Sequence, residues 1–253
     1  MGRNKSNLVV GLTTFNHEFL NISISGLKRV AKNVTLVIFN DNPCRKLRHR
    51  DIRRMGFRGN AHIINTDENI GHMRARIAIL RYIEKSKIHA DWFIFANDDD
   101  IVSNTRVPCV SDDNFAVMGN AIVIKSRLLD ALRVMQNPTD FTVDGVDTVQ
   151  VAPNVCMAGT FIRTKYLIEY AAFVDSVIDD VLDIITDVPF HIPTDLIMWN
   201  GFIEFMRKKH PNMRPIYMNQ TNYIMIKING TRHANADQCT GMVNKFLGFF
   251  ENI

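Results

Sequence analysis

Over the first hundred residues, short apolar runs alternate with segments of helical period, and few folds accommodate that order. Leu8-Val9-Val10-Gly11-Leu12 is a continuous apolar run, as a strand buried on both faces requires. Asn16 is placed to cap a following helix, whose apolar residues Leu20, Ile24, Leu27 and Ala31 recur at i, i+4, i+7 and i+11. Val34-Thr35-Leu36-Val37-Ile38-Phe39 reads as a second strand, His62-Ile63-Ile64-Asn65 as a third, and Trp92-Phe93-Ile94-Phe95-Ala96 as a fourth. Between the last two, Gly71 to Lys85 reads as a helix with Met73, Ile77 and Leu80 on one face. Strand and helix in turn imply βαβ units, hence an α/β fold with a mostly parallel central sheet flanked by helices.

The second half is less regular. Residues 116–124 and 149–163 look strand-rich, and helices are expected over 126–136, 164–186 and from Asp195 to Lys209. The tail has a strand-like Tyr223-Ile224-Met225-Ile226 and an apolar Phe246-Leu247-Gly248-Phe249-Phe250. No linker interrupts the 253 residues. The expectation is a single domain, with a nucleotide-binding half over about 7–104 and an acceptor-binding half and tail over about 105–253.

Composition excludes several classes. At 46% hydrophobic and 22% charged residues, with 30 Lys+Arg against 26 Asp+Glu, the chain is not a disordered polyelectrolyte. It is long enough to bury a core without disulfides or a structural metal. Cys44, Cys109, Cys156 and Cys239 form no CxxC pair, so they are read as reduced, buried thiols of a cytoplasmic protein. The polar N-terminus has no apolar signal region, and no stretch approaches the length of a membrane span.

In open α/β sheets, ligands sit beyond the carboxyl ends of the strands. Three polar clusters fall there: Thr13-Thr14-Phe15-Asn16, Asn40-Asp41-Asn42 and Asn97-Asp98-Asp99-Asp100. Three consecutive carboxylates after a buried strand repel one another, and a hard divalent cation such as Mn²⁺ or Mg²⁺ relieves that repulsion. A solvated turn is the plainer alternative. Asp41 can accept from a ribose hydroxyl or a base N–H, or merely form an Asx turn. Asn69-Ile70-Gly71-His72-Met73-Arg74-Ala75-Arg76 opens a helix whose N-terminus can receive anionic charge. Of Arg74 and Arg76, at most one is expected to face a ligand.

Taken in order, these residues resemble the GT-A fold nucleotide-sugar glycosyltransferases, in particular the large family 2 group. The resemblance covers about residues 8–210. It implies a Rossmann-like GT-A domain that binds a nucleoside-diphosphate sugar through Thr13, Phe15, Asn16, Asp41, Asn69, Gly71, Arg76 and Asp98. It implies a metal held by Asp99 or Asp100, with a late histidine, His233, as a further ligand. The family's Asp-x-Asp falls on Asn97-Asp98-Asp99, or one residue later on Asp98-Asp99-Asp100. Met157-Ala158-Gly159-Thr160-Phe161-Ile162-Arg163 is similar to a family strand beside the acceptor. Pro193-Thr194-Asp195-Leu196-Ile197-Met198-Trp199 is similar to the segment carrying the catalytic base, so Asp195 takes that role although Thr194 stands where the family has Glu. Arg163, Trp199 and Arg232 follow as acceptor or phosphate contacts. The implied reaction is transfer of a sugar to an acceptor hydroxyl, with inversion, and UDP is the nucleotide the resemblance favours.

One stretch departs from that pattern. Arg45, Lys46, Arg48, Arg50, Arg53, Arg54 and Arg58 are opposed only by Asp51. Such a run suits a polyanion, with Arg50, Arg53 and Arg54 as contacts: a modified DNA base as acceptor, of the kind some phages present in a host cytoplasm, or a lipid-linked saccharide at a membrane surface. A glycan acceptor leaves the run as a solvated face. A second function class is a non-catalytic nucleic-acid-binding protein on the same fold, for which Asn97 and Thr194 speak. A nucleotidyltransferase would need a glycine-rich loop after the first strand, and none is present.

Overall fold

The computed structural model describes residues 8–126, 146–154, 156–186, 194–228 and 243–251. Strand β1 (Leu8–Thr14) leads into helix α1 (His17–Leu27), and β2 (Val34–Asn40) into the short α2 (His49–Arg54). Then come β3 (Asn60–Asn65), α3 (His72–Lys85), β4 (Trp92–Asn97) and the two-residue β5 (Ile101–Val102). The second half comprises β6 (Asn114–Ser126), β7 (Val146–Pro153), β8 (Phe161–Arg163), α4 (Thr164–Thr186), α5 (Thr194–Lys209) and β9 (Arg214–Ile228). The expected helix over 126–136 lies almost wholly outside the described residues; Ser126 itself ends β6.

The strands form one sheet in the order β3-β2-β1-β4-β8-β6-β9-β5, with β7 pairing β6. From β3 to β4 every pairing is parallel. Beyond β4 the sheet is mixed: β8 runs antiparallel to both β4 and β6, while β9 runs parallel to β6. The first four strands therefore all end on one side of the sheet, which is where their polar termini gather.

Period-two alternation splits each central strand between two cores. Val9, Val37, Phe39, Phe93 and Phe95 face α3, α4 and α5. Leu8, Val10, Leu12, Leu36, Ile38, Trp92, Ile94 and Ala96 face the opposite layer, with Leu20, Ile24 and Leu27 of α1 and Ile52 of α2. Burial on both faces explains why these strands read as unbroken apolar runs. The apolar tail closes the first core, where Phe246 and Phe250 pack around Tyr170. No described helix is long and apolar enough to cross a membrane.

The thiols correct one expectation. Cys44 and Cys109 are free and exposed, and Cys156 is half-buried; Cys239 lies outside the described residues.

Candidate functional site

The ends of β1, β2 and β4 and the starts of α1, α3 and α5 meet at the carboxyl edge of the parallel strands. Asn16 accepts from the Glu18 backbone N–H at 3.1 Å, which fixes the start of α1. The loop before it carries Phe15, whose ring is 53% exposed although a large aromatic is ordinarily buried. The Phe15 carbonyl accepts from Asn42 Nδ2 at 2.9 Å, tying the β1 and β2 ends together. Thr13 is buried beside Asn97 in the strand register, so Thr14 makes the next contact: its Oγ1 donates to Asp98 Oδ2 at 2.7 Å. The Phe15 N–H donates to the same oxygen at 3.3 Å.

Asp41 is buried and accepts from the backbone N–H groups of Ile70, at 2.8 Å, and Gly71, at 3.0 Å. Burial raises its carboxyl above the usual range, and those two donors moderate the rise. Asn69 Oδ1 also accepts from the Gly71 N–H at 3.0 Å. Gly71 has φ +80° with open space where a Cβ would stand, so the turn into α3 is both glycine-dependent and uncrowded.

Below this rim lies a locked polar cluster. Arg76 is fully buried, and its guanidinium pairs with Asp195 and donates to Asn97 Oδ1 at 2.9 Å. The cation also lies over the Phe95 ring, 4.8 Å from its centroid. Asn97 Nδ2 donates to Asp100 Oδ2 at 3.0 Å and reaches Asp195 Oδ2 at 3.4 Å. The Tyr223 hydroxyl accepts from the Asn97 N–H at 3.1 Å and donates to Asp100 Oδ2 at 2.9 Å. Tyr223 fits because Gly159, at φ +76°, leaves room: a Cβ there would come within 2.5 Å of the tyrosine side chain. His72 Nδ1 lies 2.7 Å from Thr194 Oγ1, joining the starts of α3 and α5.

Electrostatics divides the carboxylates. Burial pushes Asp98 up to about 6, against the pull of Thr14 and the Phe15 and Asn16 amides. Burial, and then the charge of Asp98, brings Asp99 to about 6 as well. Burial also opposes ionisation of Asp195, but the Arg76 guanidinium outweighs it and holds this carboxyl below the usual range. His72 is held down at about 3 by burial and by Arg76, so its imidazole is neutral. Asp99 is half-buried, and no described side chain donates to its carboxylate; Asp100, by contrast, is turned into the cluster. Two carboxylates that burial keeps reluctant to ionise are a donor set suited to a hard divalent cation. Among the described residues no three His, Cys, Asp or Glu side chains converge into a complete cage, so a ligand's oxygens and water would have to fill the shell.

Several expected contacts lie elsewhere. Arg163 pairs in register with Trp92, at the opposite end of β4, with its guanidinium 4.4 Å from the indole centroid and 3.1 Å from Asp112. The antiparallel course of β8 carries it away from the site. Trp199 is buried against Phe202 in the helical core, since the period of α5 turns it inward. Arg74 pairs with Asp179 on the outer side of α3, and Arg76 faces Asp195 rather than an open ligand site. Arg50, Arg53 and Arg54 are exposed on α2, outside the cluster. His233 and Arg232 lie outside the described residues. Conversely, His72, Thr14 and Tyr223 contact these residues although no motif assigns them a role. His72 carries a signal, a histidine directly after a helix-opening glycine. Tyr223 carries none, because its partners are 126 and 123 positions away.

No protein-family model and no curated protein matches the sequence. Solved structures do match. The structure of GalNAc-T7 with UDP, GalNAc and Mn²⁺ aligns at a TM-score of 0.55 and 10% identity, over 98% of this chain and 48% of that one. Residues 1–349 of S. aureus TarS align at 0.44 and 12% identity, over 87% of this chain and 60% of that one. Glucosyl-3-phosphoglycerate synthase from Mycobacterium tuberculosis, with Mn²⁺, UDP-glucose and phosphoglyceric acid, aligns at 0.47 and 12%, over 98% and 79%. The chain thus spans about half of GalNAc-T7 and three-fifths of the TarS segment. The GalNAc-T7 likeness establishes the fold, a GT-A fold in one α/β domain.

Proposed function

We propose that the protein is a metal-dependent glycosyltransferase that moves a sugar from a nucleoside-diphosphate sugar to an acceptor hydroxyl, with inversion. One observation carries the reading. On a fold shared with a structure that holds UDP, GalNAc and Mn²⁺, the carboxylates after β4 are wired through Asn97 to an ion-paired Asp195. Phe15 offers an exposed ring for a base to stack on, and Asp41, which holds the Gly71 N–H, is adjacent in sequence to Asn42, whose side chain donates to the Phe15 carbonyl. Asp99, with Asp98 beside it, would hold Mn²⁺ or Mg²⁺, which supplies positive charge where the leaving diphosphate becomes more negative.

The residues of the chain do the rest. Asp195, ionised through the neutral range, takes the proton of the acceptor hydroxyl as its oxygen bonds to the anomeric carbon. The bond from that carbon to the diphosphate oxygen breaks, and the nucleoside diphosphate leaves with the electron pair. Arg76 and Asn97 hold the Asp195 carboxylate in place. The acceptor supplies a hydroxyl, of a glycan, a lipid-linked saccharide or a modified DNA base. Free thiols suit a cytoplasmic setting.

Thermal shift with UDP, GDP, CDP and TDP, each with and without Mn²⁺, tests the donor half. A ligand at about 100 times its Kd stabilises by about 2.7 kcal/mol. The expected result is one nucleotide, UDP first, that shifts the melting temperature only with metal. No shift with any nucleotide would overturn the reading.

A further inference from the structure

The basic run after β2 is exposed along its length. Arg45, Lys46, Arg48, His49, Arg50, Arg53, Arg54 and Arg58 are all exposed, while the apolar residues between them, Leu47, Ile52 and Phe57, are buried in the core beneath α1 and α2. The segment is thus anchored from below and presents cations above. Lys28, from the turn after α1, lays its side chain over Gly56 and adds another charge from a different element.

Little opposes these charges. Asp51 is the one carboxylate between Arg45 and Arg58; it accepts from the Arg48 N–H at 3.0 Å and lies 4.0 Å from Arg50. Lys46 pairs with the exposed Asp67. Arg45, Arg48, Arg53, Arg54 and Arg58 have no ion pair with any described residue. Seven cations face one carboxylate here, in a chain whose formal net charge is only +4, so the rest of the molecule is net acidic. That asymmetry focuses the field on one face.

We propose that this face is a sequence-independent binding surface for the phosphate backbone of nucleic acid. Six of the seven cations are arginines, whose planar fork matches phosphate better than an ammonium does. Against a membrane stands the lack of an apolar side chain to insert within the run: Met55 is half-buried, and among the described residues the large exposed apolar side chains, Phe15, Val151 and Tyr217, lie outside it. The surface follows β2 toward β3, the sheet edge remote from β6 and β9, so it docks a polymer beside the reaction centre rather than within it. Binding here requires no sugar donor and stands or falls apart from the transferase reading.

The test is fluorescence anisotropy of the full chain with a labelled duplex and a labelled single strand of random sequence, beside vesicles rich in phosphatidylglycerol. With about five phosphates contacted, raising salt from about 50 to about 200 mM weakens binding about 500-fold. The triple variant Arg50→Glu, Arg53→Glu, Arg54→Glu should bind at least about tenfold more weakly at the lower salt, with a salt slope reduced by about 3. The corresponding triple Arg→Gln variant should give an intermediate loss, and both variants should melt like the parent because the three side chains are exposed. No binding of either nucleic acid by the parent at low salt, or unchanged binding by both variants, would overturn the proposal. Binding to vesicles alone would assign the face to a membrane instead.

Discussion

Two groups of charges flank the parallel strands of this fold, and they are opposites. The cluster after β4 is inward and internally paired: Arg76, Asn97, Asp100, Asp195 and Tyr223 each contact another member. The strip over α2 is outward and largely unpaired within the described molecule. A buried charge must be compensated inside the fold, so its geometry is fixed and its chemistry local. An exposed cation needs no partner to fold, so an excess of one sign is free to serve something outside. The same residue type, arginine, is a structural pin at position 76 and a solvated surface residue at positions 53 and 54.

That contrast breaks most visibly if Arg76 or Asp195 is removed. Asp195→Asn should lower turnover about 10²- to 10⁴-fold while metal-dependent nucleotide binding survives, the range expected for loss of a general base. A variant with near-parental turnover in a donor-saturated transfer assay would remove Asp195 from that role. Arg76→Ala leaves the Asp195 carboxylate without its guanidinium, and urea denaturation should show a loss of about 3–5 kcal/mol. Tyr223→Phe deletes the hydroxyl between Asn97 and Asp100; it should cost about 1–3 kcal/mol and weaken Mn²⁺-dependent nucleotide binding. Unaltered stability and binding would show the hydroxyl to be incidental.

A pH comparison sharpens the picture further. His72 is near 3 in the folded state, against 6.5 for an ordinary histidine. Between these values the unfolded chain binds the proton more readily, so this residue costs stability as pH falls below 6.5. The His72→Gln variant lacks that loss. Its urea midpoint relative to the parent should therefore rise from pH 7 to pH 5, and a constant difference would place the imidazole in a solvated setting. The smallest effect belongs to the strip: Arg53→Ala and Arg54→Ala should change unfolding free energy by less than about 0.5 kcal/mol. A loss above about 1 kcal/mol would mean the strip is structurally engaged after all.

The two groups were unequally legible in the amino-acid sequence. The strip could be read directly, because a run of arginines with one aspartate is a local fact. So could the parallel half of the sheet, whose doubly buried strands announce themselves as apolar runs ending in Thr, Asn and Asp. The lock was not legible. Asn97 and Thr194 stood out only as departures from a family pattern, yet each has a partner: Asn97 bridges Arg76 to Asp100, and Thr194 meets His72. The Arg76–Asn97 and His72–Thr194 contacts span 21 and 122 positions, which periodicity does not encode. Arg163 and Trp199 misled for a related reason. A motif gives residue types and order, whereas strand direction and helix phase decide which way each side chain is carried.

Tyr223 has a consequence in time as well as in space. It sits in β9 and completes a cluster whose other strand member, Asn97, precedes it by 126 residues. At a synthesis rate of about 5–20 residues per second, the ribosome delivers the tyrosine roughly 6–25 s after the carboxylates it is to secure. Until then the carboxyl end of β4 lacks its hydroxyl clasp. The nascent first half can form its parallel strands, but the polar cluster at their carboxyl ends closes only when β9 arrives.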